Sequence, residues 1–501
     1  MRLVSAAEMA EIDDAAQQEY GLPALVLMEN AGIKCFSRIK AIVSDLQTNN
    51  SDRRRIKLVV VCGKGSNAGD GFVIARQAFL DGFEGTEIVT AQGDVAGTAG
   101  TMAASCRALG VPFYDWSTDG GLVRRKIEQA ELVVDCLTGT GVKGRLRPPL
   151  GEIALAINES ARPVVSIDLP SGIGDGFKTT FPAVRAHHTL TIELPKRSMY
   201  LPAARPYCGT ISVVPIGFPP ELVTATGADA ALLDVRQLPG LLPRVDPAGH
   251  KKTRGTVAVF AGSRGLTGAA VLAAEAASRS LAGLVVVHAD SDIYDILASR
   301  LVGEIVRPFD YNHGTAAVKD FSSVVLGPGW GRSSEKHKLI ESLVREGKTG
   351  VLDADALNLL ADGPLPDFGG RWILTPHPGE FSRLVRLPTA EILEDPVPHL
   401  ADFAASHNVY VVLKAHVSYI VCPSGRYYVA DGMNAALATG GSGDVLSGCI
   451  GGLLAAGADP EAAACAGVLA HGETGTRLFR AEGWFSASGL PRVLGKVLAG
   501  E

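Results

Sequence analysis

At 501 residues the chain is about three times the length of an ordinary domain, which implies two domains of common size with ample cores. Its net charge of −6 and its one short basic run, Arg53-Arg54-Arg55, argue against a nucleic-acid partner, because no stripe of cations can follow a phosphate backbone. Glu8, Glu11, Asp13 and Asp14 interrupt the N-terminal stretch before any apolar run of signal length. Nothing reaches the ~18–20 apolar residues of a membrane span, so a cytoplasmic protein without membrane contact is expected. The eight cysteines (Cys35, Cys62, Cys106, Cys136, Cys208, Cys422, Cys449 and Cys465) contain no Cys-x-x-Cys pair and read as buried, reduced thiols.

With 58 glycines and only 6% aromatic residues, the composition suits alternating strands, tight turns and small-residue helices. In the first half, residues 56–62, 87–91, 132–136 and 164–169 are short Val/Ile/Leu-rich runs ending at Gly, Asp or Pro, the pattern of strands buried on both faces. Helical patterns over 71–80 and 98–109 lie between them, predicting a parallel, doubly wound α/β sheet. The proline-rich stretch 219–247 breaks this rhythm and places a boundary near residue 230. Strand-like runs then resume at 256–260, 284–288, 324–326, 351–353, 373–375 and 410–413, followed by an apolar helical run over 445–454.

Polar clusters sit where such strands end, and an open α/β sheet binds its ligands there. After the first run comes Gly63-Lys64-Gly65-Ser66-Asn67-Ala68-Gly69-Asp70-Gly71. After the third comes Thr138-Gly139-Thr140-Gly141-Val142-Lys143-Gly144-Arg145, and after the fourth Asp168-Leu169-Pro170-Ser171-Gly172. Hard oxygens from Asn67, Asp135 and Ser171 suit a monovalent or hard divalent cation. In the second half, Thr439-Gly440-Gly441-Ser442-Gly443-Asp444 precedes the apolar helix. Glycines there admit a ligand to the backbone, the helix start offers unpaired N–H groups to a phosphate, and Asp444 stands ready as a base. Taken alone, that string is also compatible with an ordinary turn whose Asp444 favours the helix dipole.

Together these strings resemble the bifunctional NAD(P)H-hydrate repair enzyme family. Met28-Glu29-Asn30-Ala31-Gly32, the loop after the first strand, Asp135 with Thr138-Gly139-Thr140-Gly141, and Asp168-Leu169-Pro170-Ser171-Gly172 resemble its epimerase domain. Ala261-Gly262-Ser263, Thr267-Gly268-Ala269-Ala270, Leu326-Gly327-Pro328-Gly329, Asp353-Ala354-Asp355, Thr375-Pro376-His377-Pro378-Gly379-Glu380-Phe381 and the Asp444 string resemble its dehydratase domain. The resemblance implies a Rossmann-like three-layer sheet over 1–220, a linker over 221–231 and a ribokinase-like α/β domain over 232–501. It implies epimerisation of R and S hydrated NADH or NADPH by the first domain and dehydration of the S form by the second, with ADP, or alternatively ATP, and Mg²⁺. A homo-oligomer is expected as well.

Residue by residue, the resemblance makes Asp168 and Lys196 the reactive pair of the first domain. It gives Ser66, Asn67, Ala68, Gly69, Asp70 and the stretch from Gly139 through Thr140, Gly141, Val142, Lys143 and Gly144 to Arg145 to the cofactor. Potassium falls to Asn67, Asp135 and Ser171. In the second domain Asp444 is the base, Thr439, Gly440, Gly441, Ser442 and Gly443 the anion hole, and Lys414, Ala415, His416, Val417 and Ser418 the nucleotide stretch. Ala269, Gly329 and His377 line the hydrated-cofactor pocket, and Glu380 orders a Mg²⁺-bound water. Three departures stand out: Ala68 where Gly is usual, its methyl expected to crowd the cofactor; Lys252 in place of Gly; and the bulkier Ala415-His416-Val417-Ser418. The competing reading is a ribokinase-like kinase of a vitamin or sugar with a non-catalytic N-terminal binding domain.

Overall fold

Each buried run of the first half finds its neighbours in one parallel sheet. In the computed structural model, which describes residues 1–46, 56–224 and 229–501, the chain divides into two units, Met1–Ala228 and Asp229–Glu501. The basic run Arg53-Arg54-Arg55 lies outside the described residues. The first unit contains β1 (Leu58–Cys62), β2 (Glu87–Thr90), β3 (Phe113–Asp115), β4 (Leu132–Cys136), β5 (Val164–Ile167), β6 (His188–Ile192) and β7 (Thr210–Val214). They pair, all parallel, in the order β3-β2-β1-β4-β5-β6-β7. Leu58, Val60 and Cys62 of β1 pack into one apolar cluster with Phe36 and Phe72, while Val59 and Val61 pack into another with Ile127 and Ile153. Alternate side chains thus meet helices on opposite faces, which is what a three-layer sheet demands.

Three of these strands escape the sequence pattern. β3 is short and only half buried, β6 (His-Thr-Leu-Thr-Ile) is interrupted by polar residues, and β7 is half exposed at the sheet edge. The helix expected over 71–80 begins at Ser66, so the residues from Ser66 to Asp70 form its first turns rather than a loop. β5 stops at Ile167 because Asp168 turns left-handed, with φ 66°.

The second unit contains β8 (Ala230–Leu232), β9 (Thr256–Phe260), β10 (Leu284–Ala289), β11 (Ile305–Pro308), β12 (Ser323–Leu326), β13 (Gly350–Leu352), β14 (Trp372–Leu374), β15 (Tyr410–Leu413), β16 (Val417–Val421) and β17 (Tyr427–Asp431). Their order is β11-β10-β9-β12-β13-β14-β15-β16-β17-β8, parallel except that β16 runs antiparallel to both its neighbours. Residues 230 and 231, part of the expected linker, pair with β17 in this sheet. Among the described residues no helix is long and apolar enough to cross a membrane, and all eight cysteines are buried and unbridged.

The sheet order reverses between β1 and β4 in the first unit and between β9 and β12 in the second, opening a crevice at the strand ends in each. Over the second crevice the helix Ser442–Ala455 lies close against the helix Thr267–Ser278, whose inner face is alanine. A Cβ at Gly448 would stand 2.2 Å from the Ala273 carbonyl oxygen, so the approach requires glycine. Gly448→Val is therefore expected to destabilise the second unit by about 1–3 kcal/mol, the usual cost of overpacking. Denaturant unfolding followed through buried Trp330 and Trp372 measures it; an unchanged midpoint refutes the close-approach argument.

Candidate functional site

At the first switch point, the loops after β1, β4 and β5 surround a cavity of about 690 Å³, within the range of small-molecule sites. Ser66, Asn67, Asp70, Gly139, Thr140, Gly141, Val142, Asp168 and Lys196 line it. Ala68 and Gly69 do not. The Ala68 methyl is fully buried among core residues, and a Cβ at Gly69 would strike the Met28 sulfur at 2.3 Å. The expected crowding by Ala68 is thereby corrected: starting the helix at Ser66 turns that side chain away from the cavity. Lys143, Gly144 and Arg145 fall outside the cavity wall, with both cationic side chains exposed.

Asp135 holds the loops in place. Its buried carboxylate accepts from Ser166 Oγ (2.8 Å), Ser171 Oγ (2.6 Å), Ser171 N (2.9 Å) and Leu137 N (3.3 Å). Burial pushes its pKa up against these four hydrogen bonds. Ser171 Oγ in turn accepts from Thr138 N at 2.9 Å, and Asn67 Nδ2 donates to Thr138 O at 2.7 Å. Asn67 Oδ1 is buried with no hydrogen-bond partner among the described residues, an arrangement that leaves a hard oxygen for a cation.

Asp168 and Lys196, expected as the reactive pair, form a buried ion pair at the cavity. Lys196, only 2% exposed, donates from Nζ to Asp168 Oδ1 (2.5 Å), to the Ile192 carbonyl (2.7 Å) and to Thr191 Oγ1 (3.3 Å). Ile192 N also donates to Asp168 Oδ1, while Oδ2 lies against Gly139, 3.3 Å from where a Cβ there would stand. Two further carboxyls belong to this electrostatic group. Asp70 is pushed well up by burial and by Asp168 and Asp13, with Lys196 opposing. Asp13 is raised to about 6, first by burial. In the sequence Asp13 is one charge in an acidic leader; only its helical phase beside Met9, Ile12 and Ala16 could have marked it.

In the second unit, the 3₁₀ turn Ala435–Leu437 delivers the chain to Gly441, which at φ 96° starts the helix Ser442–Ala455 without a side-chain cap. Ser442 N donates to the Thr439 carbonyl (3.2 Å), and the N–H groups that follow it in this uncapped first turn suit an anion. Asp444 lies in the first turn and is raised to about 7, first by burial and then by Asp353, with Lys414 opposing and Asp355 and Glu380 adding to the rise. Lys414 follows β15 and donates from Nζ to the buried Asp353 at 2.6 Å; a Cβ on Gly443 would lie 3.2 Å from that same nitrogen. Burial disfavours the Lys414 charge, but Asp353 and Glu380 outweigh it and its pKa rises.

The remaining expected residues are distributed around this centre. Gly329, at φ 53°, comes so close to Ala269 that a Cβ would meet the alanine methyl at 2.9 Å, and its carbonyl accepts from Ser263 Oγ. His377 caps the helix Pro378–Val385: Nδ1 accepts from Gly379 N (3.0 Å) and Glu380 N (3.3 Å), and Glu380 accepts from His377 N (2.8 Å). Glu380 is thus a buried capping residue, not an exposed first-turn glutamate. Asp353 stands at a helix start, yet its carboxylate is engaged by Lys414 and caps no N–H. Of the nucleotide stretch, Ala415 is half-buried and His416 exposed, whereas Val417 is buried in β16 and Ser418 Oγ bonds the Ala415 carbonyl. Lys252 lies exposed in a turn and crowds nothing. Thr439, Gly440 and Gly441 complete the loop before the helix, whose first residue is Ser442.

A cavity holding a carboxylate–lysine pair, and an anion cradle backed by a shielded carboxylate, define a two-site α/β enzyme. Residues 24–198 match the family described as YjeF-related protein N-terminus, and residues 257–495 the family described as NAD(P)H-hydrate dehydratase. The bifunctional NAD(P)H-hydrate repair enzyme of Moorella thermoacetica is 34% identical, the alignment covering 96% of this chain and 93% of that one. The ADP/ATP-dependent NAD(P)H-hydrate dehydratase of Bacillus subtilis, crystallised with ATP and Mg²⁺, is 28% identical with a TM-score of 0.50 over 54% of this chain and 98% of that one. A ribokinase-like superfamily protein from Enterococcus faecalis, 23% identical with a TM-score of 0.50 over 55% of this chain and 97% of that one, has the same fold as the second unit. The chain belongs to the family of bifunctional NAD(P)H-hydrate repair enzymes, with an epimerase and a dehydratase domain.

The expected role of Asp444 as the base carries a pH dependence with it. A base raised to about 7 takes up its own proton as the pH falls, so dehydration is expected to decline below about pH 7. Asp444→Asn should leave the fold intact, remove that acid limb and cut turnover by ~10²–10⁴, the usual loss for a general base. Stopped-flow recovery of reduced cofactor across pH checks both, and near wild-type turnover in the variant overturns the assignment.

Proposed function

We propose that the first unit interconverts the R and S epimers of hydrated NADH and NADPH at Asp168 and Lys196, and that the second dehydrates the S form by phosphoryl transfer from ADP. The observation that carries this reading is the placement of Asp444, shielded to about pKa 7, in the first turn of an uncapped helix beside Lys414. Hydroxide is a poor leaving group and phosphate a good one. Asp444 takes the proton of the ring hydroxyl as its oxygen attacks the terminal phosphoryl group, and the N–H groups around Gly441, Ser442 and Gly443 hold that group in flight. Phosphate then departs under the push of the ring nitrogen, and loss of the neighbouring ring proton restores the double bond. Lys414 and the backbone of Ala415 and His416 face the nucleotide, and Ala269, Gly329 and His377 face the hydrated ring.

Mg²⁺ would accompany the nucleotide near Asp353, Asp355 and Glu380, neutralising phosphate charge. A potassium ion would be held by Asn67 Oδ1 with the oxygens of Asp135 and Ser171, supplying a positive field for the cofactor diphosphate. The orphaned Asn67 oxygen supports that assignment. The kinase alternative shares the cradle and Asp444 but leaves the cavity around Asp168 and Lys196 without a task.

With pure S epimer and ADP, a fragment starting at Asp229 should dehydrate alone. With pure R epimer it should be limited by spontaneous epimerisation until residues 1–228 are added. Asp168→Asn in the full chain should reproduce that selective defect. Equal consumption of the R epimer with and without the first unit contradicts the epimerase reading. For the cation, a crystal soaked in rubidium should show anomalous density among Asn67, Asp135 and Ser171; an empty site with these oxygens turned apart refutes it.

A further inference from the structure

The match to the epimerase family begins at residue 24, yet the helix Ala6–Gln18 forms a wall of the first-unit cavity through Met9, Ala10, Asp13, Asp14 and Gln17. Its phase is set from below: Met9, Ile12 and Ala16 pack with Leu27, Ala31 and Leu194, which leaves Asp13 toward the cavity. Its position is set by a strap. Val4 N donates to the Pro195 carbonyl (3.1 Å) and Arg197 N to the Val4 carbonyl (2.8 Å), so the segment before the helix brackets Lys196. Ser5 and Glu8 close a capping box, and Glu8 pairs with both Arg2 and Arg197.

We propose that Asp13 is a second catalytic residue of the epimerase site, the proton donor to the departing hydroxyl, with Asp168 the acceptor for the water that replaces it. The proposal rests on the epimerase reading above. Asp13 lines the cavity together with Asp168 and Lys196, and its carboxyl makes no hydrogen bond or ion pair among the described residues. Asp168 Oδ1, by contrast, is engaged by Lys196, and its Oδ2 is left facing Gly139. Two carboxyls on different walls, one paired and one unpaired, are the arrangement that separates acid from base.

The groups acting on Asp13 are Asp14 on its own helix, Asp168, Glu193 and Lys196 from the strand ends, and Asp70 from the helix after β1. Burial and the acidic groups raise it to about 6 against the pull of Lys196, so an acid fraction persists close to neutrality. In the step itself, Asp13 gives its proton to the hydroxyl oxygen, and the carbon–oxygen bond breaks as the ring-nitrogen lone pair closes a carbon–nitrogen double bond, releasing water. A water on the other face forms the new carbon–oxygen bond, the double-bond pair returns to nitrogen, and Asp168 takes the water's proton. Asp13 ends ionised and Asp168 protonated, so the reverse epimerisation runs with the roles exchanged, and solvent resets the pair.

The test follows exchange of pure R epimer without ADP, by chromatographic separation of the epimers, in the full chain. Wild type should lose kcat/KM as the pH rises through about 6, because the acid form is lost. Asp13→Asn should keep its melting temperature and its NADPH affinity, exchange the epimers about 10²-fold more slowly, and lose that pH limb. Asp13→Glu should recover part of the rate with the limb restored, a rescue that a merely structural role does not predict. Exchange by Asp13→Asn within about threefold of wild type overturns the proposal, as does a slower rate with an unchanged pH profile. If wild type itself exchanges no epimer, the epimerase reading falls instead, and an Asp168→Asn control separates the two failures.

Discussion

A buried ammonium can neutralise one carboxylate, and each unit of this protein surrounds its lysine with more than one. In the first unit Lys196 is paired with Asp168, while Asp70 and Asp13 feel its charge without a direct bond. In the second Lys414 is paired with Asp353, while Glu380 and Asp444 share its field. Like charges brought together in a place poor in water cannot all ionise. Asp13 is raised to about 6 and Asp444 to about 7, and in the proposed mechanisms these are the carboxyls that exchange protons.

The backbone makes this crowding possible. In both sheets the strand order reverses in the middle, so loops from adjacent strands diverge and leave a crevice instead of packing on one another. Asp135 ties the first set of loops together by accepting from Ser166, Ser171 and Leu137, and Asp168 leaves β5 in a left-handed turn that aims its carboxylate at Lys196 and the cavity. In the second unit the close contact at Gly448 seats the cradle helix against its alanine-rich neighbour. Strain and close packing lie beside the chemistry, where substitutions have the least room to relax.

The parallel sheets were legible because a strand buried on both faces must be a short apolar run, and Leu132–Cys136, Thr256–Phe260 and Tyr410–Leu413 match the sequence reading residue for residue. β6 and β7 were not: β6 is interior but carries His188, Thr189 and Thr191 between its apolar residues, and β7 is half exposed at the sheet edge, so the apolar pattern fades in both. Ala68 shows the opposite failure. A motif lined up along the chain treats each residue as facing the ligand, but a helix starting at Ser66 turns Ser66, Asn67 and Asp70 to the cavity and Ala68 to the core.

By itself, then, the sequence determined the two α/β domains and the glycine-rich strand ends, because local spacing and backbone freedom are written residue by residue. The tertiary structure alone decided which charges meet. Asp13 lies 155 residues from Asp168 along the chain, and only a helix strapped to the Lys196 segment brings both to one cavity. Lys414 and Asp353 meet across the end of a sheet for the same reason. Coulomb forces act through space, and neither periodicity nor composition records the fold that sets those distances.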